Sequence, residues 1–259
     1  MKTTVAPFIT IIMPCYNGGK YLRGALDAFF SQSYPRKKII VVDSKSSDCS
    51  HEILSEYIAE GFPLVWDKTP DMGISDAINI GIRHLNKQEI FGYLGCDDIL
   101  MPGVLDEVAN LASVAPKIDG FYFDSVSYSV GGNRLSYRKC PTSTLSLDNL
   151  LKFGTIVGLQ NIYIRSEHVV NNKFAVHLKY SMDYEYYIRL TRGGVSSFCH
   201  LPKPSTINIM DQNVSTAFML EGSFEAIKAA AEQVGYRPRL LYRLLLLKIA
   251  QLKSWLVKL

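Results

Sequence analysis

The sequence predicts a doubly wound, mostly parallel α/β sheet, and three observations carry that reading. Short apolar, β-branched runs end at turn or acidic residues. Stretches with helical spacing separate them. Four such strand-then-helix alternations fit into about 110 residues, the pattern of a right-handed βαβ series.

The elements follow in order. Phe8–Met13 is an apolar run that stops at Pro14, as a buried strand does. Gly18–Gly19 marks a loop, after which Tyr21–Gln32 places Leu22, Ala25, Leu26, Phe29 and Phe30 at helical spacing. A proline turn at Ser33–Arg36 leads to a second buried strand, Ile39–Val42, ending at Asp43. His51–Glu60 reads as a helix, Leu64–Trp66 as a short third strand and Ile74–Leu85 as an amphipathic helix. Phe91–Leu94 is a fourth strand, just ahead of Asp97–Asp98. Beyond it the chain is harder to read. Gly131–Gly132 and Thr142–Ser146 look like loops, and Tyr180–Thr191 has helical spacing.

Composition sets the outer bounds. The 259 residues are 47% hydrophobic and 20% charged, which is globular composition. From Tyr236 onward there are six basic residues (Arg237, Arg239, Arg243, Lys248, Lys253, Lys258) and no acidic one. Removing those six from the net +4 leaves residues 1–235 at −2, so the positive excess sits in the tail and not across a nucleic-acid-binding face. The five cysteines are widely spaced with no CxxC, which predicts free thiols in a reducing cytoplasm. The first residues lack a signal-peptide pattern, and no run reaches the roughly 18–20 apolar residues of a membrane span. The five histidines show no ligand spacing and read as surface or satisfied core residues, so no His/Cys cluster is expected to hold zinc.

Ligands of such a sheet bind beyond the carboxyl ends of its strands. Strand one ends in Pro14–Cys15–Tyr16–Asn17, strand two in Asp43–Ser44, and strand four in Gly95–Cys96–Asp97–Asp98. One edge therefore collects an aromatic ring, an amide and three carboxylates. The adjacent carboxylates Asp97 and Asp98 suit a hard divalent cation, Mn²⁺ or Mg²⁺. Neither GxGxxG nor GxxxxGK[ST] is present, which removes the dinucleotide fingerprint and the P-loop.

Four segments carry a family resemblance: Thr10-Ile-Ile-Met-Pro-Cys-Tyr-Asn17, Ile39-Ile-Val-Val-Asp-Ser-Lys-Ser-Ser-Asp48, Asp71-Met-Gly-Ile-Ser-Asp-Ala-Ile-Asn-Ile-Gly81 and Tyr93-Leu-Gly-Cys-Asp-Asp98. In order and spacing they resemble the family 2 glycosyltransferases of the GT-A fold, a Rossmann-like fold. A weaker echo runs through Gly158–Asn161 and Tyr180–Leu190. The third segment looks like that of enzymes building bacterial surface polysaccharides or lipopolysaccharide. The resemblance implies that Pro14, Tyr16 and Asn17 lie under the nucleotide of a UDP-sugar donor and that Asp43 accepts from the base. It implies that Asp71 and Asp76 shape the donor pocket. It further implies that Asp97 binds the metal with Asp98 behind it, and that Asp183 is the general base of an inverting transfer to a glycan or lipid-linked acceptor. Glu185 is the alternative base, and a carboxylate there that merely complements a helix dipole is the structural alternative. Departures are Gly95 at the first Asp of Asp-x-Asp, Lys45 at a usually small position, and Met182 before the base. A nucleotidyltransferase and a catalytically silent nucleotide-binding module are the competing readings.

The expected organisation is a catalytic domain over 1–235, with a nucleotide-sugar half to about 120 and an acceptor half over about 121–235. A basic amphipathic helix over 236–259 follows. Its leucines gather opposite Arg239, Arg243, Gln251, Lys253, Ser254 and Lys258, with Trp255 near the end. That pattern fits an anchor on anionic lipid at the inner face of the cell membrane, and equally a helix packed on the domain or on a second copy in a homodimer.

Overall fold

A computed structural model describes residues 6–210 and 219–256. Its first half alternates as the apolar runs predict: β1 (Phe8–Pro14), α1 (Gly19–Phe30), β2 (Lys37–Val42), α2 (Ser50–Ala59), β3 (Leu64–Asp67), α3 (Ile74–Ile82) and β4 (Glu89–Tyr93). Asp98–Leu100 then forms a short strand β5, followed by α4 (Val104–Val114), β6 (Gly120–Ser129), β7 (Arg134–Arg138) and α5 (Leu147–Phe153). The chain continues through β8 (Ile162–Arg165), α6 (Ser166–Val169), α7 (Met182–Arg192) and β9 (Phe198–Met210). It ends in α8 (Met219–Val234) and α9 (Pro238–Leu256).

The strands form one sheet in the order β3-β2-β1-β4-β8-β6-β9-β5, with β7 paired to β6. The first four are parallel. β8 runs antiparallel between β4 and β6, and β5 antiparallel to β9. Successive residues of β1 and β2 point into two different cores. Ile9, Ile11, Met13, Ile39 and Val41 pack on one face, while Ile12, Ile40 and Val42 pack on the other. Burial on both faces is why these strands read as unbroken apolar runs and not as alternation.

Several residues of the third motif serve this architecture. A Cβ on Gly81 would sit 2.5 Å from Ile12 Cγ2, so only glycine lets α3 lie this close to β1. Gly73 takes φ +128°, a backbone angle that L side chains avoid. The Asn79 amide clamps the backbone of Phe174 in both directions, donating to its carbonyl at 2.9 Å and accepting from its N–H at 2.8 Å.

The basic tail is a helix, α9, that packs against α8 and α5. Leu240 is fully buried, Arg243 donates to the Tyr184 hydroxyl at 3.0 Å, and Arg239 pairs with Asp148 at 3.2 Å. Two of the predicted polar-face cations thus hold the helix onto the domain. The outward face carries Leu241, Tyr242, Leu245 and Leu246, all exposed. The side chains of Gln251, Lys253, Ser254 and Trp255 lie outside the described residues, as does Lys258. Among the described residues no helix is long and apolar enough to cross a membrane.

Candidate active site

The carboxyl ends of β1, β2 and β4 bring three motifs together. β1 ends at Pro14 beside Val42, and the Cys15 N–H continues the ladder to the Val42 carbonyl at 3.0 Å. Asn17 sits at φ 51°, a left-handed angle that asparagine tolerates better than most residues. There it stitches the first loop to the second. Its N–H donates to Ser46 Oγ at 2.7 Å, and its side-chain oxygen accepts from the Ser47 N–H at 2.9 Å. The Tyr16 ring stands out on the rim, 69% exposed.

Asp43 is fully buried. Its Oδ1 accepts from the Lys45 and Ser46 N–H groups at 3.2 and 3.0 Å and lies 3.2 Å from His51 Nε2. Among the described residues its Oδ2 has no partner. A buried carboxylate oxygen without a donor costs free energy, on the order of 1–3 kcal/mol or more for a charged group. Asp43 is thus an acceptor waiting for an N–H.

Asp71 and Asp76 build the loop that leads into α3. Asp71 accepts from the Gly73 N–H at 2.9 Å, and Asp76 accepts from the Met72 N–H at 3.1 Å. Lys45 donates to the Asp71 carbonyl and so ties this loop to the end of β2. The unusual lysine joins two donor-side loops.

Gly95 explains itself sterically. A Cβ there would lie 2.7 Å from Asp97 Oδ1 and 2.9 Å from Asp98 Oδ2. The space that a first Asp would need holds the other two carboxylates. Asp98 is buried and anchored, accepting from Asn208 at 3.0 Å and from the Gly95 N–H at 3.3 Å. Burial, and then the Asp97 charge, push its carboxyl up to about 7. Burial also raises Asp97, whose side chain is the more open of the two. Two adjacent oxygen donors, one open and one braced from behind, fit a hard divalent cation.

Asp183 lies in the first turn of α7, half-buried, with the Tyr184 N–H on its Oδ1 at 2.7 Å. Burial pushes its carboxyl up to about 6, against the opposing pull of that N–H and of the Arg138 charge. A helix N-terminus alone would lower it, so desolvation wins here. Glu185 is spent elsewhere. Arg189 grips it at 2.9 and 3.1 Å, and Gln233 donates to it at 3.1 Å. Tyr184, Tyr186 and Tyr187 are fully buried, so these rings belong to the core.

Tertiary packing carries α7 to the edge of the sheet where α3 begins. Ser75 Oγ donates to Met182 Sδ at 3.0 Å, joining the start of α3 to the start of α7. Tyr93, at the end of β4, marks the meeting point. Burial holds its phenol well above the ordinary value, and the charges of Asp98, Asp97 and Asp183 all add to that. Tyr93 opens the fourth motif without a role assigned to it, and Asn208, Arg138 and Glu225 stand outside all four motifs.

Glu225, on α8, collects four donors: the N–H groups of Lys179, Tyr180 and Ser181 at 2.7–2.9 Å and the Ser181 hydroxyl at 3.0 Å. Burial alone would raise it, but those donors more than offset that and hold the carboxyl below its ordinary value. These donors lie in the three residues directly ahead of α7, so Glu225 positions the helix that carries Asp183. Glu225→Ala is expected to lower stability by about 1–3 kcal/mol in a denaturant melt. It is also expected to reduce kcat more than KM, whereas Glu225→Gln recovers part of both. Unchanged kinetics in the alanine variant would remove the positioning role.

Comparison with known proteins identifies the fold and the family. An uncharacterized glycosyltransferase of Rickettsia typhi is 27% identical over 209 residues, 77% of this chain and 63% of its own length. The chain thus spans less than two thirds of that relative. The minor teichoic acid biosynthesis protein GgaB of Bacillus subtilis is 31% identical over 105 residues, 39% of this chain and 11% of its own. Among solved structures, S. aureus TarS in complex with UDP-GlcNAc aligns with TM-score 0.69 at 16% identity, over 88% of this chain and 66% of that one. The mannosyltransferase PcManGT of Pyrobaculum calidifontis, in complex with GDP-Man and Mn²⁺, aligns with TM-score 0.66 at 17% identity, over 95% and 70%. At such identity the likeness establishes the fold, which is GT-A. Residues 10–174 match Glycosyl transferase family 2 and take in most of β1, all of β2 to β8 and the Asp97–Asp98 pair. The chain belongs to that family.

Proposed function

We propose that this protein transfers a sugar, with inversion, from a UDP-sugar to a hydroxyl of a glycan or lipid-linked acceptor in cell-surface polysaccharide synthesis. The observation that carries the reading is the arrangement around Tyr93. The charges of two adjacent oxygen-donor carboxylates and of a separate carboxylate raised to about 6 all act on this one phenol at the end of β4. The first pair suits a cation and diphosphate, and the last suits a base that works near neutral pH.

In this scheme Asp43 Oδ2 accepts the imide N–H of the base, which relieves its unpaired state. Asn17 and the Ser46–Ser47 turn support the nucleotide, and Tyr16 covers it from the rim. Asp71 and Asp76 hold the loop that walls the donor pocket. Asp97 is the metal ligand, and Asp98 behind it keeps it in place. A Mn²⁺ or Mg²⁺ ion bound there supplies Lewis-acid stabilisation of the diphosphate leaving group. Asp183 takes the proton of the acceptor hydroxyl as that oxygen attacks the anomeric carbon from the side opposite the diphosphate. The new bond forms as the old one breaks, so the configuration inverts. A donor screen with UDP-, GDP- and TDP-sugars, followed by NMR of the product linkage, tests the scheme. A retained anomeric centre would sink the role of Asp183.

The acceptor-side proposal extends to location. α9 offers an exposed apolar face, Leu241, Tyr242, Leu245 and Leu246, with Lys248 exposed nearby. A helix of that kind lies in a lipid interface, and anionic headgroups favour its cations. The protein would then work as a peripheral enzyme on the inner face of the cell membrane. The double variant Leu241→Glu, Leu245→Glu leaves the inward contacts of Leu240 and Arg243 alone. It is expected to abolish flotation with phosphatidylglycerol vesicles. Flotation equal to the parent would reject the anchor, and loss of a dimer in the variant would assign the face to a second copy instead.

A further inference from the structure

Away from the donor-side carboxylates, one cluster combines oxygen, sulfur and nitrogen donors. Asp124 on β6, Cys140 just after β7 and His200 on β9 present ligand atoms that all lie within 4.8 Å of one another. Asp124 is 1% exposed, and the other two are half-buried, which leaves a path from solvent. Asp124 Oδ1 and His200 Nε2 are 3.0 Å apart. Two donors at tetrahedral positions around zinc, with bonds of roughly 2.0–2.1 Å, stand about 3.3 Å apart. The observed separation is close to that.

The sheet itself assembles this cluster. Tyr122 and Asp124 share one face of β6, and His200 is the register partner of Tyr122. The pairing then breaks: β9 advances from Leu201 to Pro204 while β6 advances only from Phe123 to Asp124. Such irregularities re-aim side chains and concentrate near functional sites. Supporting contacts fix the donors. The Tyr137 hydroxyl donates to Asp124 Oδ2 at 2.5 Å and the Cys140 N–H donates to Oδ1 at 2.8 Å, while the Tyr122 ring stacks on His200 at 4.8 Å. Carboxylates and rings held in this way are what ordered metal ligands require. Burial and the Asp124 charge push the Cys140 thiol up to about 12, so it is no free nucleophile.

We propose that Asp124, Cys140 and His200 form a binding site for a zinc-class transition-metal ion, separate from the Asp97–Asp98 pair. The donor chemistry selects the ion: thiolate and imidazole favour zinc and its neighbours, whereas Mg²⁺ and Mn²⁺ prefer the all-oxygen pair. On binding, the Cys140 thiol gives its proton to solvent, and neutral His200 ligates through Nε2 with its hydrogen on Nδ1. A water completes the tetrahedral set. The ion would clip the segment after β7 to the sheet. That segment directly follows Arg138, the last residue of β7, whose charge acts on Asp183, and the charges of Cys140 and Asp183 both act on Tyr187. The clip is thus a structural brace on the acceptor side, and it stands whether or not the transfer scheme holds.

Cobalt titration of the chelator-treated full chain tests it. One equivalent of Co²⁺ is expected to give a thiolate-to-cobalt charge-transfer band that Zn²⁺ displaces, and Zn²⁺ is expected to raise the melting temperature. Cys140→Ser should lose both the band and the thermal shift while melting cooperatively without metal. His200→Ala should weaken Zn²⁺ binding by about tenfold or more. Asp97→Ala should keep the band, which separates this site from the donor cation. No band in the parent protein, or an equal band in Cys140→Ser, would overturn the assignment.

Discussion

Changing Asp183 to asparagine is expected to lower the rate of sugar transfer by about 10²–10⁴-fold, the usual worth of a positioned general base. Nucleotide binding is expected to survive, because Asp183 belongs to the acceptor side and the change is isosteric. The pH profile gives a second readout. Asp183 must be ionised to accept a proton, and its carboxyl is pushed up to about 6. kcat/KM of the parent protein should therefore fall as pH drops through about 6, with a plateau above it.

Stability should move the other way. A carboxylate whose folded value lies above its ordinary value binds its proton more tightly in the folded state. It costs nothing below the ordinary range and becomes a growing penalty as pH rises from about 4 to about 6. Two pKa units correspond to at most about 2–3 kcal/mol, less here because Asp183 is only half-buried. The Asp183→Asn substitution removes that penalty, so the variant is expected to melt a few degrees higher at pH 7.5 and to show no gain at pH 4. An inactive variant that is also destabilised at pH 7.5 would mean that Asp183 holds α7 in place and that its loss of activity is indirect.

The second large effect concerns Asp97. In calorimetric titrations, UDP is expected to bind the parent protein more tightly with Mn²⁺ than without. That difference is expected to vanish in Asp97→Ala, together with a loss of transfer on the order of 10²–10³-fold. A cation at a developing diphosphate contributes several kcal/mol, and each 1.36 kcal/mol is about a factor of ten. Asp98 alone is a weaker site, since it is buried and held from behind by Asn208 and the Gly95 N–H. Equal Mn²⁺ stimulation in the variant would place the cation elsewhere. If neither UDP nor GDP nor TDP bound under any condition, the donor site itself would be misread.

The first hundred or so residues were legible because their information is local. Apolar runs such as Ile39–Val42 mark strands buried on both faces, and the sheet-edge rule then gathers Asn17, Asp43 and Asp97 without any coordinates. Part of the motif signal proved architectural. Gly73, Asn79 and Gly81 serve a positive φ, a backbone clamp and a close helix approach. The resemblance pointed to Asp183, but it could not choose between Asp183 and Glu185 on physical grounds. What supports Asp183 in the proposed scheme is that Arg189 and Gln233, 4 and 48 residues along the chain from Glu185, engage Glu185.

Histidine spacing along the chain gave no hint of a metal cluster, because the three donors Asp124, Cys140 and His200 meet only through the β6–β9 ladder and its bulge. Glu225 was equally invisible, since its partners lie more than forty residues earlier, and nothing in a helical wheel of α8 distinguishes it from a solvated glutamate. The tail shows the same division. Composition alone determined that α9 is a basic amphipathic helix. Only packing decided that Arg239 and Arg243 turn toward the domain and leave Leu241 and Leu245 facing outward. Periodicity and turn chemistry act over a few residues and are written in the sequence. Which carboxylate is quenched, which is left open and which donors converge depends on contacts across the fold, and those only the tertiary structure decides.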